Sequence, residues 1–503
     1  MPVRLRIGSL EADLDASLDQ LRRDLGGPDC RVRSSRERLE RAMEDGGAIY
    51  GVTTGFGALK DVRVGDDDLA RLQVNLLRSH AVGMGDPVDA VIASRMLRLK
   101  AHALGLGHSG VSLPVMDRLL WMADRGLAPV VPSQGSLGAS GDLAPLAHLA
   151  LPLIGEGHLW QEGVQTPTAD VLSRLGTEAV ALGAKDGLAL INGTQFMAAH
   201  LAEVVLRART LATTADVIAA MTLEAIRGSA RPFAADVQAL RPHPGAVTVA
   251  ANVRALLDGS EILPSHATCG KVQDPYSVRC VPPVHGASRD AMAYAESVLE
   301  VEINAVTDNP LVMDGGDVVS AGAFHGQPLA LAADTAAIAL AEWASISERR
   351  TFLLVDGPDG LPPFLVREGG LHSGFMMPQY LAAALVSENK TLCHPASVDS
   401  IPSSRNQEDH VSMGAWGARK ALRVLENAER VLAVEALCAA QALEFRRPLR
   451  AGRGVEVALA AIRERISFRD ADRPFDADLT AATDLVRLGT LVEAVRADVG
   501  PLA

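Results

Sequence analysis

The tripeptide Ala139-Ser140-Gly141 lies in a segment rich in glycine and serine and contains the residue types needed to build an electrophile. No standard side chain is a strong electrophile, so an enzyme that must activate an amino acid takes one from a cofactor or makes one. In a tight bend the Gly141 nitrogen can attack the Ala139 carbonyl carbon, and loss of two waters leaves a methylene group derived from Ser140. Glycine suits this step because its nitrogen is unhindered and its dihedral angles are permissive. The product would be a 4-methylidene-imidazol-5-one cofactor, formed autocatalytically from Ala139-Ser140-Gly141, and the alternative for the tripeptide alone is an ordinary glycine- and serine-rich turn before a helix.

Five further blocks accompany this segment along nearly the whole chain. With the tripeptide they resemble the ammonia-lyase and aminomutase superfamily, whose members carry this prosthetic group. The order of the blocks matches the family's order, which makes a chance match very improbable. The blocks are residues 49–57 (IYGVTTGFG), 190–195 (LINGTQ), 272–280 (VQDPYSVRC), 308–312 (DNPLV) and 406–414 (NQEDHVSMG).

The resemblance implies a catalytic role for several of these side chains. Tyr50, in a glycine-containing loop, would be the general base that removes the β-proton of the substrate as phenolate. Arg279 would bind the substrate α-carboxylate in a bidentate manner, because a planar guanidinium fixes both its position and its rotation. Tyr276 and Asn192 would hydrogen-bond the cofactor's oxygen. The resemblance also places Gln273, Phe324 and Gln407 next to the substrate or the reactive methylene.

Two further positions indicate the substrate. Ser79-His80 and Glu408 match the branch of the family that acts on histidine, whereas the branches that act on phenylalanine or tyrosine typically have leucine and glutamine there. An imidazole and a carboxylate can hydrogen-bond a substrate imidazole, and an apolar ring would leave both groups unpaired. Three departures qualify this match. Thr53 replaces a commoner asparagine, Arg405 replaces a small residue, and Tyr380 is more typical of the aromatic-substrate branches.

Helical periodicity dominates the chain and predicts a mostly α-helical fold. Small or apolar residues recur at helical spacing from Ala421 to Leu443, which predicts a long helix with a narrow alanine-rich face, and further long helices are predicted over about 327–348 and from near residue 193. We expect an N-terminal region at 1–195 that carries the cofactor loop, and a central and C-terminal helical bundle at 196–503. The resemblance implies a homotetramer in which several chains contribute to each active site.

Composition limits the classes of partner. The net charge of −13 argues against nucleic acid. The N-terminus has no apolar signal core, and no uninterrupted apolar run is long enough to cross a bilayer, so we expect a cytoplasmic enzyme without a membrane partner. The five cysteines are scattered without zinc spacing, and no metal site is predicted.

The expected activity is a carbon–nitrogen lyase reaction of histidine catabolism, elimination of ammonia from L-histidine to give trans-urocanate. Whether the substrate's amine or its ring attacks the electrophile stays open. The alternative is a lyase or 2,3-aminomutase that acts on tyrosine or another aromatic amino acid with the same cofactor. A third hypothesis, a noncatalytic helical assembly protein, conflicts with the presence of Tyr50, Arg279 and the intact tripeptide.

Overall fold

The structure is a computed structural model that describes residues 2–503, and it is mostly α-helical, as predicted. Short 3-10 helices, among them Gly57–Leu59 and Ser404–Asn406, occur in the connections. In chain order the α-helices are α1 Leu10–Leu25, α2 Arg31–Glu44, α3 Leu69–His80, α4 Ala90–Gly105, α5 Leu113–Asp124, α6 Leu143–Ala150, α7 Thr168–Arg174, α8 Asp186–Ile191, α9 Gln195–Ala225, α10 Ala235–Ala239, α11 Pro244–Leu256, α12 Ile262–Ser265, α13 Tyr276–Arg279, α14 Val281–Glu302, α15 Gln327–Val355, α16 Met376–Leu392, α17 Gly414–Glu444, α18 Arg453–Arg463, α19 Asp476–Arg487 and α20 Thr490–Val499.

The strands are short and form antiparallel pairs. Pairing joins β1 to β2, β3 to β4 and β5 to β6, and the β3–β4 hairpin has the regular register of His158 opposite Pro167 and Gln161 opposite Val164. The strand bounds are β1 Met84–Pro87, β2 Pro132–Gln134, β3 His158–Gln161, β4 Val164–Pro167, β5 Leu311–Val312 and β6 Val318–Val319.

The chain divides into two compact units. Unit 1 consists of Met1–Glu203, Ala295–Asp334 and Pro395–Arg419, and unit 2 consists of Val204–Tyr294, Thr335–His394 and Lys420–Ala503. This division differs from the expected boundary between residues 195 and 196, because two later segments of the chain return to unit 1. The returning segments carry Phe324, Gln407 and Glu408, so unit 1 holds most of the predicted site residues.

The long helices follow the predicted apolar pattern. Helix α17 covers the predicted Ala421-to-Leu443 face, and both of these residues are buried. Glu429, which the pattern leaves off that face, is also buried, because Arg207 pairs with its carboxylate at 3.0 Å (Nε–Oε1) and 2.6 Å (Nη2–Oε2). Helices α9 and α15 begin close to the predicted positions and extend further than predicted.

Helix α15 is long and apolar enough to meet a length and composition criterion for a membrane span. Its most apolar window has a mean hydropathy of 1.4, although charged residues interrupt the helix, so no continuous apolar run is present. About two thirds of that window (67%) is buried inside the protein. A core helix of a large α-helical protein meets the same criterion, since its apolar residues pack against other helices.

Candidate active site

The loop before helix α6 carries the tripeptide in a strained bend. Ser140 has φ +50° and Gly141 has φ +78°, so two consecutive residues adopt left-handed conformations, which a non-glycine residue adopts only at a cost in free energy. Ser136 Oγ accepts a hydrogen bond from the Gly138 nitrogen (3.2 Å), and the Leu137 carbonyl accepts one from the Met413 nitrogen (3.1 Å). The tripeptide therefore lies in a tight bend, and hydrogen bonds of the surrounding loop stabilise its approach.

Gly193 packs directly against this bend. The Asp142 nitrogen donates to the Gly193 carbonyl (2.7 Å), and the Gly193 nitrogen donates to the Ser140 carbonyl (3.4 Å). A Cβ atom on Gly141 would lie 2.0 Å from the Gly193 oxygen, so only glycine fits at the position of the attacking nitrogen. The residues present thus fit a 4-methylidene-imidazol-5-one group at residues 139–141.

Asp142, directly after the tripeptide, is fully buried beneath this loop. Burial raises the pKa of Asp142 to about 7, although the amides of Met197 and Phe196 and the charge of Lys100 act in the opposite direction. Its Oδ2 accepts hydrogen bonds from both of those amides at 3.0 Å. Asp142 thereby ties the end of the cofactor loop to the first turn of α9.

A cavity of about 440 Å³ opens above Ser140, within unit 1. Five predicted site residues line it together, so residues that are distant in sequence meet at one site. The predicted residues that line the cavity are Tyr50, His80, Ser140, Asn192 and Glu408, and the other lining residues are Gly55, Phe56, Gly57, Ala58, Leu59, Leu72, Asn75, Leu76, Ser79, Leu143, Leu188, Ile191 and Ser404.

Tyr50 reaches the cavity from a loop that folds back on itself. Its hydroxyl oxygen accepts a hydrogen bond from the Gly57 nitrogen (3.0 Å), and its ring packs edge-on against Phe56. Burial raises the pKa of the Tyr50 phenol, and the Glu408 carboxylate raises it further, while the Gly57 amide lowers it. Thr53, the departure noted above, accepts a hydrogen bond from the Ile49 nitrogen (2.9 Å) and so stabilises the turn.

His80 is the last residue of α3 and is half-buried at the edge of the cavity. Its Nδ1 lies 2.9 Å from the Leu76 carbonyl, and a carbonyl only accepts, so Nδ1 carries the proton and Nε2 is left as an acceptor. Burial lowers the pKa of His80, while the Leu76 carbonyl and the Glu408 carboxylate raise it. The ring is therefore neutral at pH 7 and can accept a hydrogen bond from a ligand.

Glu408 is held by the segment that precedes it. Ser403 Oγ donates to Glu408 Oε2, and the Ser403 nitrogen donates to the Glu408 carbonyl (3.0 Å). Ser404, Arg405 and Asn406 have φ values of +48°, +54° and +64°, so three consecutive non-glycine residues are left-handed. Strain of this kind is concentrated at functional sites, where the surrounding structure maintains it.

The same segment contacts the Tyr50 loop. Ser404 Oγ accepts a hydrogen bond from the Ala58 nitrogen (2.9 Å), and Lys60 Nζ donates to Gln407 Oε1. Gln407 is exposed and does not line the cavity within the part of the chain that the structure describes, and Arg405 is also exposed. Gln407 therefore contacts the loop that carries the predicted base in this structure.

Asn192 and Phe324 both lie close to the tripeptide. Asn192 lines the cavity, and its Nδ2 donates to the Asn309 carbonyl (2.7 Å), which explains why the block at 308–312 belongs to the site. The backbone of Phe324 lies beside Gly141, since a Cβ there would be 3.0 Å from the Phe324 oxygen. The Phe324 side chain is half-buried, and it is not one of the side chains from residues 2–503 that line the cavity.

The three remaining predicted residues belong to unit 2. Tyr276 is 72% exposed, and the Arg279 guanidinium lies 4.5 Å from the centre of its ring. Arg279 Nε donates to the Asp274 carbonyl (2.9 Å), and Asp274 Oδ2 accepts from the Ser229 nitrogen (2.6 Å). Gln273 is exposed beside a second, smaller cavity of unit 2. None of these three side chains lines the Ser140 cavity in the residues described.

Several lining residues were missed by the sequence analysis. Leu72, Asn75 and Leu76 recur at helical spacing, so the pattern of α3 could have placed them on the same face as Ser79 and His80. Leu188, on helix α8, lies two residues before the 190–195 block, and Ile191 is inside that block, where no role was predicted for it. The sequence carried no local signal for Ser403 and Ser404, because their importance depends on contacts with side chains that fold against them.

Comparisons with known proteins show which family the chain is similar to. The family model for aromatic amino acid lyases matches residues 29–464. A histidine ammonia-lyase of Sorangium cellulosum is 52% identical over 94% of this chain and 94% of its own length. Among solved structures, histidine ammonia-lyase of Trypanosoma cruzi is 42% identical with a TM-score of 0.86 and covers 93% of this chain and 89% of its own. Tyrosine aminomutase of Streptomyces globisporus is 37% identical with a TM-score of 0.88, covering 96% and 97%.

The chain belongs to the aromatic amino acid lyase family. It is therefore a carbon–nitrogen lyase, and the fold and family expected from the five blocks are confirmed.

Proposed function

We propose that this protein eliminates ammonia from L-histidine and releases trans-urocanate, as a soluble cytoplasmic enzyme with a cofactor made from Ala139-Ser140-Gly141. The observation that carries the proposal is the presence of His80 and Glu408 in the same cavity as Ser140 and Tyr50. The names of the similar proteins support the choice of histidine, because relatives 52% and 54% identical over nearly the whole chain are named histidine ammonia-lyases, whereas the tyrosine aminomutase is 37% identical.

The polar end of the cavity fits an imidazole better than a phenol or a benzene ring. His80 Nε2 and the Glu408 carboxylate are both acceptors. A protonated imidazole can donate to both, a tyrosine hydroxyl to one, and a phenyl ring to neither. Because each buried group left unpaired costs about 1–3 kcal/mol, the order of preference is histidine, then tyrosine, then phenylalanine.

The reaction places a separate demand on each side chain. The cofactor supplies an electrophilic methylene that turns the substrate's amino group into a better leaving group. Tyr50 removes the proton from the β-carbon of the bound substrate, and Arg279 holds the α-carboxylate so that this proton faces the base. Asn192 and Tyr276 would hold the cofactor by hydrogen bonds to its carbonyl oxygen, which derives from Ser140, and would stabilise negative charge there.

The active assembly is a homotetramer in which neighbouring subunits complete each site. Tyr276 and Arg279 are outside the residues that line the Ser140 cavity, and Tyr276 is 72% exposed. Unit 2 also exposes large apolar side chains on two helices, a pattern typical of interfaces. These are Ile338 and Phe352 on α15 and Met377, Tyr380 and Leu381 on α16. Tyr380 is more typical of the family branches that act on aromatic substrates. On this proposal it is an interface residue and does not select the substrate.

Mixing two inactive variants should restore activity if subunits share sites. Tyr50→Phe lacks the base and Arg279→Ala lacks the carboxylate ligand, so each homotetramer is inactive. After random exchange of equal amounts, about one quarter of the sites combine an intact Tyr50 with an intact Arg279 from another chain. We expect about that fraction of wild-type turnover. Exchange of subunits is checked by mass spectrometry. If exchange has occurred and the mixture is still inactive, both residues act from one chain.

Replacing His80 or Glu408 should lower the turnover of L-histidine more than that of L-tyrosine. His80→Leu and Glu408→Gln each remove a contact to the imidazole and should each lower kcat/KM for L-histidine by about 10- to 100-fold. Turnover of L-tyrosine should fall much less. The exposed neighbours His410→Leu and Asp409→Asn serve as matched controls and should leave kcat/KM unchanged. Equal losses for histidine and tyrosine would remove the basis for assigning histidine.

The pH dependence should report the coupling between Tyr50 and Glu408. Because burial and Glu408 raise the pKa of Tyr50, only a small fraction of it is phenolate at neutral pH, and kcat/KM should rise as pH increases. Glu408→Gln removes a negative charge that opposes ionisation, so its profile should rise at lower pH than that of the wild type. Asp409→Asn should leave the profile in place. A shift of the Glu408→Gln profile to higher pH would contradict this coupling.

A further inference from the structure

A buried lysine lies behind the cofactor loop and has no role in the chemistry described above. Lys100, on helix α4, is only 1% exposed, and its ammonium donates a hydrogen bond to the Asn192 carbonyl. Burial lowers the pKa of Lys100 to about 7, while Asp308 and Asp142 raise it and Lys185 lowers it. Withdrawing an ammonium group from water is costly, so an apolar residue would serve a purely structural core better.

The Asn192 carbonyl that Lys100 binds is one half of a peptide unit whose other half contacts the tripeptide. The Asn192 carbonyl and the Gly193 nitrogen belong to the same planar amide. The Gly193 nitrogen donates to the Ser140 carbonyl (3.4 Å), and the Gly193 carbonyl accepts from the Asp142 nitrogen (2.7 Å). A continuous hydrogen-bonded chain therefore runs from the Lys100 ammonium through this amide to the Ser140 carbonyl.

The Ser140 carbonyl is conjugated with the nitrogen that must react. In the cyclisation a bond forms between the Gly141 nitrogen and the Ala139 carbonyl carbon. The Gly141 and Ser140 nitrogens each give up one proton, the Ala139 oxygen leaves with both as water, and the Ala139 carbon becomes doubly bonded to the Ser140 nitrogen. Ser140 then loses its Cα proton and its hydroxyl as a second water, so no oxidant or reductant is needed. A hydrogen bond to the Ser140 carbonyl favours loss of the Gly141 proton, and a positive charge at the end of the chain polarises each bond along it.

We propose that Lys100 is a positioning residue for this cyclisation, because it holds the Asn192–Gly193 amide in the orientation that supports the Ser140-Gly141 bend. The inference rests on the proposed function only for the identity of the cofactor, and it does not depend on the substrate. Space around the amide is already restricted, since a Cβ on Gly193 would lie 2.9 Å from the Thr307 oxygen. Thr307 therefore limits movement at the Gly193 end of the amide, and the Lys100 ammonium holds the Asn192 carbonyl end. Loss of the ammonium would release the carbonyl end.

The test follows cyclisation by mass in the full-length protein. Wild type and Lys100→Met are produced by brief induction in the cold, purified quickly and warmed, and the loss of two waters is followed by intact-mass spectrometry. We expect Lys100→Met to cyclise roughly 10- to 100-fold more slowly than the wild type, because small displacements of reacting groups have effects of this size. If Lys100→Met is insoluble, Lys100→Gln replaces it with the same expected delay.

Lys420→Met is the matched control. Lys420 is also 1% exposed and donates to a main-chain carbonyl, that of His394, but both residues belong to unit 2. This variant should lose about as much thermal stability as Lys100→Met, as measured by Tm, but it should cyclise at the wild-type rate. Wild-type cyclisation in Lys100→Met, or an equal delay in Lys420→Met, would overturn the inference. A cyclised wild type that ignores histidine would refute the proposed substrate and leave the role of Lys100 intact.

Discussion

Ser140→Ala should retain the fold and lose nearly all activity. The substitution removes the hydroxyl whose departure creates the methylene, so the cofactor cannot form. The intact mass of the variant should therefore equal the mass calculated from its own translated sequence. The wild type should be lighter than its translated sequence by two waters. We expect kcat to fall on the order of 10³-fold or more, because the chemical step loses its electrophile.

Ser133→Ala provides the control for this change. Ser133 lies on strand β2, a few residues before the loop, and is outside the bend and the cavity lining over the described residues. Its variant should keep both the two-water mass deficit and full turnover. If wild-type protein had the mass of the uncyclised chain and were still active, the mechanism built on Ser140 would be wrong.

Tyr50→Phe should lose turnover while keeping the cofactor and the binding of substrate. The ring keeps its packing against Phe56, but the hydroxyl that accepts from the Gly57 nitrogen is lost together with the base. General-base catalysis is typically worth about 10²- to 10⁴-fold, so kcat should fall by that factor with little change in KM. The two-water mass deficit should remain.

The matched control is Tyr294→Phe on helix α14. Tyr294 is 44% exposed and belongs to unit 2, and its variant should retain the wild-type kcat. The pH profile gives a second criterion, since any residual activity of Tyr50→Phe should no longer rise with pH as the wild type's does. A Tyr50→Phe variant with near wild-type kcat would assign proton removal to another group.

The sequence predicted the features that depend on local pattern. The apolar face from Ala421 to Leu443 gave helix α17, and the glycine- and serine-rich run at 135–141 gave the strained loop before α6. These features were accessible because helical periodicity and backbone freedom are properties of neighbouring residues. The clustering of Tyr50, His80, Asn192 and Glu408 came from the family resemblance, and the structure places all four around one cavity.

Features that depend on contacts between distant residues were not predictable. Glu429 is buried because it pairs with Arg207, which lies 222 positions away. The pKa of Tyr50 is raised in part by Glu408, which joins the site only when residues 395–419 return to unit 1. Lys100 gave no sequence signal, since a single lysine in an apolar helix is ordinarily expected to reach the surface.

The most direct test of the proposed function is incubation of the purified protein with L-histidine, L-tyrosine and L-phenylalanine in parallel. Urocanate is followed by its ultraviolet absorbance, ammonia is measured in the same samples, and all products are identified by mass and chromatography. We expect L-histidine to be consumed fastest and each molecule of it to yield one urocanate and one ammonia. Consumption of L-tyrosine without L-histidine, or formation of a β-amino acid in place of urocanate, would contradict this expectation.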